Sequence, residues 1–350
     1  MRELPKTMRA IEIVAHGAPD MLRPTERPCP RPESGELLIE VAAAGVNRPD
    51  VLQREGNYPP PPGASDLPGL EVAGIVRACG DGVSPSWLGR TVCALVPGGG
   101  YAEYCIAAPE LCLPGIAGFS IAEMAAIPEN WFTAYDHVVR GCRLMQGESL
   151  LVHGGTSGVG IAAIQLGLAT GARVFATAGS DAKTTWLRDL GCTEAVNYRE
   201  ADFVSALRQA TGDAGIDVII DMVAGPYLAR NIDLLAERGR ISLIGGIGGV
   251  VADGISIAPI MLKQVTVTGN VLRTRPAAYK AELAASLHRA VWPLFERGDA
   301  RPVIDRSFPL DRAADAHRLM ESSTHIGKII LIPGLDEHDS SRSGISPRGA

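Results

Sequence analysis

The sequence contains no C-x-x-C pair. Its seven cysteines (Cys29, Cys79, Cys93, Cys105, Cys112, Cys142 and Cys192) are odd in number and scattered, so neither a disulfide framework nor a four-cysteine zinc lobe is expected. Reduced thiols in a cytoplasmic compartment are. No basic cluster interrupts a formal net charge of −6, which argues against nucleic acid as a partner. No apolar run is long and glycine-free enough to span a bilayer, and Met1 to Ala10 lacks the apolar stretch of an export signal. There is no internal repeat. What remains is a chain of 350 residues with a hydrophobic share of 46%, enough to fill two cores and suited to a small, weakly polar substrate.

The most informative stretch is Leu150-Leu-Val-His-Gly-Gly-Thr-Ser-Gly-Val-Gly160, followed by the run Ile161 to Thr170. It reads as an apolar strand, a glycine-rich turn and a helix start, which together seat a dinucleotide pyrophosphate on backbone N–H groups. The spacing departs from G-x-G-x-x-G, because Ser157 stands among Gly154, Gly155, Gly158 and Gly160. A tight strand-to-helix turn needs similar glycines, so context decides. Strands are expected at 173–178, 194–197, 216–222 and 240–244, with helices at 181–190, 203–210 and 225–236 between them. Such alternation specifies parallel strands joined by crossover helices, a doubly wound α/β sheet with the glycine turn on its first connection.

The end of the second strand selects the dinucleotide. An NAD-selective fold places an acid there to bond the ribose 2′-OH, whereas this chain reads Thr177-Ala-Gly-Ser-Asp-Ala-Lys183. Asp181, the one acid, sits where the next helix begins and reads as an N-cap or first-turn residue. Ser180, Lys183 and Tyr198, beside Gly179, are candidates to hold a 2′-phosphate, which favours NADPH. The alternative is that Lys183 is a solvated helix residue. His137 and His153 lie in apolar patterns and read as satisfied interior side chains.

The N-terminal third has short strands (37–44, 71–78, 90–96 and 101–107) broken by Pro and Gly, the pattern of an all-β module. Pro59 to Gly63 is expected to form a loop. After Ser120 the pattern turns helical, with Pro128 opening a helix over 129–140. Beyond the α/β region come a β-prone segment Val265 to Leu272, a long helix 276–297, a helix 308–320 and a closing strand 327–332. Residues 333–350 are polar and expected to be disordered.

Over residues 8–332 the chain resembles the medium-chain dehydrogenase/reductase superfamily, and within it the zinc-free quinone oxidoreductase branch. The residues that carry the likeness are Gly45-Val-Asn-Arg-Pro-Asp50, Gln53-Arg-Glu-Gly-Asn-Tyr-Pro-Pro-Pro-Pro-Gly63, Gly69-Leu-Glu-Val-Ala-Gly74, Pro97-Gly-Gly-Gly-Tyr-Ala-Glu103, Ala125-Ala-Ile-Pro-Glu-Asn-Trp-Phe-Thr-Ala-Tyr135, the glycine turn and Ile326-Gly-Lys-Ile329. The resemblance implies a GroES-like β catalytic domain of residues 1–127 with 305–350, and a Rossmann domain of residues 128–304. Zinc-dependent relatives carry Gly-His-Glu where this chain has Gly69-Leu70-Glu71, so no metal site is expected.

The resemblance also implies residue roles. Tyr58 is expected to give a hydrogen bond or proton to a quinone oxygen, and Asn47 to orient the nicotinamide or the acceptor. Packing on the proline loop and closure of a turn are their respective alternatives. Thr133 is expected at the nicotinamide ribose or pyrophosphate, and Ser157, Gly158, Val159 and Gly160, with Thr156, around the pyrophosphate. Gly245 and Leu272 are placed beside the nicotinamide half, with Lys328 approaching from the closing segment. The activity implied is NADPH:quinone oxidoreduction. Reduction of an enone or 2-enoyl double bond, or low-turnover NADPH binding as a redox sensor, are the competing readings. The β-branched segment Val265 to Leu272 suggests an edge strand covered by a second copy in a homodimer, the alternative being a cap from the same chain.

Overall fold

A computed structural model describes residues 4–335; the tail expected from Pro333 lies, past Leu335, outside the described residues. The chain forms two compact units. One comprises the described residues up to Asn130, Arg273–Glu296 and the stretch from Arg301, and the other comprises Trp131–Leu272 with Arg297–Ala300.

The first unit opens with the hairpin β1 (Thr7–Ile13) and β2 (Leu22–Pro28). Then come β3 (Leu37–Val46), α1 (Arg48–Arg54), β4 (Glu71–Cys79), β5 (Thr91–Leu95), β6 (Tyr104–Ala107), β7 (Cys112–Pro114), α2 (Ile121–Ala125) and the start of α3 (Pro128–Tyr135), whose residues from Trp131 belong to the second unit. β3 is buried along nearly its whole length, as its run of Leu, Ile, Val and Ala requires of a strand paired on both sides. α2 begins in a reciprocal cap: the Ser120 N–H donates to Glu123 Oε2 at 2.8 Å and the Glu123 N–H to Ser120 Oγ at 3.3 Å. The helix expected over 129–140 instead gives way after Tyr135 to a π turn, Asp136–Gly141.

The second unit continues with β8 (Ser149–Val152), α4 (Gly158–Thr170), β9 (Arg173–Ala178), α5 (Asp181–Leu190), β10 (Glu194–Asn197), α6 (Phe203–Thr211), β11 (Ile216–Asp221), α7 (Leu228–Leu234), β12 (Leu235–Leu243), α8 (Ala258–Leu262) and β13 (Thr266–Gly269). Its six strands run in the order β10-β9-β8-β11-β12-β13, all parallel. This is the doubly wound sheet expected, with β8 central and buried throughout. Three boundaries differ from expectation, the first being β12, expected over 240–244, which begins at Leu235. The helix expected over 225–236 is a 3-10 turn followed by α7, because Ala224 and Gly225 both carry positive φ. The segment Val265 to Leu272 forms only the four-residue β13, and Leu272 begins a separate 3-10 turn.

The chain returns through α9 (Ala277–Arg297), β14 (Ile304–Pro309), α10 (Ala313–Ser322) and β15 (Lys328–Ile332). The first unit's main sheet then reads β14-β15-β3-β4-β5-β7, with β6 also on β3. β15 pairs antiparallel with β3 and parallel with β14. Phe308, expected in a helix, is in β14 opposite Leu331, and Pro309 ends that strand before α10 can start. Most of α9, expected with the dinucleotide-binding domain, belongs to the first unit. Trp292 Nε1 donates to Pro114 O at 3.1 Å, and the Phe295 ring lies 5.3 Å from that of Phe119.

Candidate functional site

In the second unit, the turn after β8 brings a helix N-terminus against backbone. Ser157 caps α4, its Oγ accepting from the Gly160 N–H at 3.0 Å. The N–H groups of Gly158 and Val159, in the first helical turn, have no intrahelical acceptor. A Cβ on Gly160 would stand 2.5 Å from Gly154 O, so only glycine lets the helix approach its own turn this closely. That cradle fits a pyrophosphate, which needs open N–H groups and no side chain in its way. Met222, at the end of β11, was not anticipated: its Sδ lies 3.5 Å from Ser157 Oγ, and its carbonyl would meet a Cβ on Gly245 at 3.3 Å. The expected residues Ser157 and Gly245 thus share one neighbour. Thr156 and Leu272 are buried, while Thr133, on α3, is partly exposed.

His153 is an interior histidine. Its Nε2 lies 2.8 Å from Asn231 Oδ1 and its Nδ1 3.0 Å from Thr177 Oγ1. Asn231 Nδ2 donates to Asp221 Oδ2 at 3.0 Å, and Asp221 Oδ1 caps the N–H groups of Val223 and Ala224. Since Asn231 turns its oxygen to the ring, the imidazole proton sits on Nε2 and Nδ1 accepts from Thr177. Burial lowers the pKa of the ring, which stays neutral. The network ties the turns after β8 and β11 to β9.

At the end of β9, Ser180 caps α5, its Oγ accepting from the Lys183 N–H at 3.4 Å. Tyr198 packs over Gly179, where a Cβ would stand 2.7 Å from the phenol oxygen. Asp181 Oδ1 accepts from Asn197 Nδ2 at 2.9 Å. Gly179, Ser180, Lys183 and Tyr198 therefore gather at the open ends of two adjacent strands, and the one acid is engaged by Asn197.

In the first unit, the junction of β3 and α1 carries a dense polar cluster. Lys328 Nζ, on β15, donates to Glu71 Oε1 at 2.5 Å, Asn47 Oδ1 at 2.6 Å and Val46 O at 3.0 Å, which uses all three of its hydrogens. Asn47 Nδ2 donates to Glu71 Oε1 at 2.9 Å, and the Glu129 N–H donates to Glu71 Oε2 at 2.8 Å. Asn47 and Lys328, expected to touch the cofactor or substrate, have their polar atoms engaged inside the unit and are 5% and 3% exposed.

Asp50 ties the same turn from below. Its Oδ2 accepts from the Asn47 N–H at 2.8 Å and the Tyr101 hydroxyl at 3.2 Å, and its Oδ1 from the Gly69 N–H at 3.1 Å. Burial pushes its pKa up to about 6 against these bonds. Tyr101 Oη lies 3.1 Å from His317 Nε2, and Arg54 Nη1 lies 3.3 Å from His317 Nδ1. Because a guanidinium only donates, His317 carries its proton on Nε2 and passes a hydrogen bond on to Tyr101. Burial and the nearby Arg54 and Arg48 charges lower its pKa to about 3.

Tyr58 lies under Arg273, with the guanidinium carbon 4.9 Å from the ring centroid. Arg273 also donates to Pro97 O at 2.7 Å, Gln53 Oε1 at 3.0 Å and Tyr58 O at 3.3 Å. Burial, then the Glu129 charge, pushes the Tyr58 phenol up to about 12.

Residues 33–137 match the family described as Alcohol dehydrogenase GroES-like domain, and residues 158–288 the family described as Zinc-binding dehydrogenase. The chain is 34% identical over 330 residues to the quinone oxidoreductase of Rattus norvegicus, covering 93% of this chain and 98% of that one. Among solved structures, an NAD-dependent alcohol dehydrogenase is 30% identical with a TM-score of 0.83, covering 93% of this chain and 100% of that one. JamJ enoyl reductase is 26% identical with a TM-score of 0.82, covering 93% of this chain and 99% of that one. The chain belongs to the medium-chain dehydrogenase/reductase superfamily. It is an oxidoreductase that uses a pyridine nucleotide.

The zinc named in one of the superfamily descriptions does not fit the residues of this member. Leu70 is buried and has no lone pair to offer, and the Lys328 ammonium adds a fixed positive charge to the neighbouring Glu71. Among the described residues no group of three or more His, Cys, Asp or Glu is placed to hold a metal ion. Reading the sequence missed Asp50, Glu71, Arg54, His317 and Glu129 as members of the polar cluster. The available signal was a charged residue inside an otherwise apolar stretch, as at Glu71 and Glu129.

Proposed function

We propose that the protein is a zinc-independent, NADPH-dependent quinone oxidoreductase. The observation that carries the reading is the Lys328–Glu71 pair beside Leu70, which puts an ammonium and an apolar side chain where a Lewis acid would have to sit. Without such an acid an alkoxide is poorly stabilised, and the favoured acceptor takes hydride into a delocalised system. The quinone oxidoreductase of Rattus norvegicus agrees with this choice.

Bound NADPH supplies a hydride. The proposed cradle is Thr156 to Gly160 for the pyrophosphate, with Thr133, Gly245 and Leu272 on the nicotinamide side. Gly179, Ser180, Lys183 and Tyr198 hold the 2′-phosphate. Tyr58 donates a hydrogen bond to an acceptor oxygen, while Asn47 and Lys328 keep the β3–α1 turn in place. Orientation and water exclusion supply most of the rate, for which positioning alone contributes several kcal/mol.

The similarity to JamJ enoyl reductase supports a second reading, reduction of an enone double bond by the same hydride geometry. The test is NADPH oxidation by the purified protein with a 1,4-benzoquinone and a small enone side by side, in the presence of a metal chelator. Quinone turnover well above enone turnover, unchanged by chelation, supports the proposal. Cofactor binding without turnover of either points instead to an NADPH-binding protein.

A homodimer and a cytoplasmic location complete the proposal. All seven cysteines are free thiols, which suits a reducing compartment. β13 forms one edge of its sheet, and Val267 within it and Val271 just past it are exposed.

A further inference from the structure

We propose that Glu129 is the acid that delivers the proton taken up by the reduced acceptor, an inference that rests on the reductase reading above. Three carboxyl groups, Asp50, Glu71 and Glu129, gather in the first unit. Two are fully served. Asp50 accepts two backbone N–H bonds and the Tyr101 hydroxyl, and Glu71 accepts from Lys328, Asn47 and the Glu129 backbone. The Glu129 carboxyl receives no hydrogen bond among the described residues, although its own N–H is held at 2.8 Å by Glu71. A carboxylate is stabilised by the donors it accepts from. Of the three, Glu129 is the group with least to hold it ionised and the one that keeps a proton.

Its surroundings are those of a proton donor and of no other residue in the cluster. It is the second residue of α3, and as a residue it is less buried than Asp50 and Glu71, so of the three it is the best placed to regain a proton from water. The charged and titratable groups that act on it come from every side: Glu71 on β4, Asp50 on α1, Lys328 on β15 and Arg273. Tyr58 and Lys280 in turn feel its charge. Burial first, then the Glu71 and Asp50 charges, pushes its carboxyl up to about 8, against the opposing pull of Lys328 and Arg273. Tyr58, pushed up to about 12, keeps its proton and serves as a hydrogen-bond donor. In the step itself the acceptor gains two electrons with one hydride from NADPH. The Glu129 O–H bond breaks as an O–H bond forms on the acceptor oxygen, the nicotinamide is left oxidised, and water returns a proton to the Glu129 carboxylate.

The test pairs a direct titration with kinetics. Infrared difference spectra between the wild type and Glu129→Gln, free of cofactor, should show a protonated carboxyl band at pH 7 that disappears as pH rises through about 8. With a 1,4-benzoquinone, wild-type kcat should fall over the same range. Glu129→Gln should lose roughly 10- to 100-fold in kcat and also lose this alkaline limb, with cofactor affinity unchanged. Glu129→Asp, which keeps an acid, should retain a shifted limb and serves if the Gln variant does not fold. An ionised Glu129 at pH 6, or an alkaline limb that survives in Glu129→Gln, overturns the proposal. A wild type that reduces no acceptor overturns the reductase reading and the donor role with it, while the infrared band still reports the protonation of Glu129.

Discussion

Lys328 Nζ and Glu71 Oε1 meet at 2.5 Å, with side chains 4% and 0% exposed. The pair joins β15 to β4 across 257 residues of sequence. Its ions are removed from water, and what keeps them there is each other and the Asn47 amide between them. Removing one partner of such a buried pair leaves a charge without compensation, which costs about 3–5 kcal/mol. Lys328→Met should therefore lower the thermal midpoint sharply and loosen the β3–α1 turn. The double variant Lys328→Met with Glu71→Gln, which buries no charge, should recover much of that loss. Thermal unfolding of the three proteins side by side checks it, and a double variant no more stable than Lys328→Met would show that the ion pair is not what matters.

Cofactor choice turns on Lys183. A charge-assisted contact to a phosphate contributes roughly 1.5–3 kcal/mol, so Lys183→Ala should weaken NADPH binding by a factor of about ten or more and leave NADH nearly unchanged. Fluorescence titration with both cofactors measures this directly. Equal weakening of the two would place Lys183 outside the 2′-phosphate site.

The alternation of apolar strands and amphipathic helices from Leu150 to Ile244 was legible because β8, β9 and β11 are short, largely buried runs bounded by turn residues. Boundaries failed where a local pattern was overruled by pairing or backbone geometry. Phe308 fits a helical stripe, yet it is buried by pairing with β15, and Pro309 delays the helix. Asn47 is expected at the site through the resemblance, but the sequence does not show that its amide oxygen is engaged by a side chain 281 residues away. In the sequence Glu129 is only one residue of the Ala125 to Tyr135 motif. The proposal for it rests on a carboxyl that accepts no hydrogen bond among the described residues, which no spacing in the sequence records.

His317 makes a signed prediction about pH. Its folded pKa is lowered to about 3, so the ring is neutral in the fold, whereas the unfolded chain protonates it below about 6.5. Its contribution to stability is therefore fully present above pH 6.5 and is lost as pH falls toward 3, at up to ~1.4 kcal/mol per pH unit. Asp50 and Glu129, whose pKa values are raised, act in the opposite sense but do so in any variant. His317→Gln can still accept from Arg54 and donate to Tyr101 without binding a proton. Its stability should decline less steeply than that of the wild type between pH 6.5 and 4, as read from thermal midpoints at each pH. Parallel slopes for the two proteins would contradict a neutral His317.

The last prediction concerns the open edge of the parallel sheet. β13 pairs with β12 on one side and ends the sheet on the other, and an unpaired edge is a template for another chain. Apolar side chains lie on and just past it: Val267 in β13 is 40% exposed and Val271, two positions beyond it, 52%. Exposed apolar side chains grouped along a strand edge are stabilised most simply by the same surface on a second copy, which a two-fold axis makes self-complementary. Sedimentation at micromolar concentration should give a dimer for the wild type. Val267→Asp combined with Val271→Asp should give a monomer with an unchanged far-ultraviolet spectrum, since carboxylates then oppose their copies across the axis. Residue Leu272, proposed beside the nicotinamide, follows β13 by three positions, so the monomer should also turn over more slowly. A wild type that sediments as a monomer while fully active would mean that the edge is left open and that the apolar surface has another occupant.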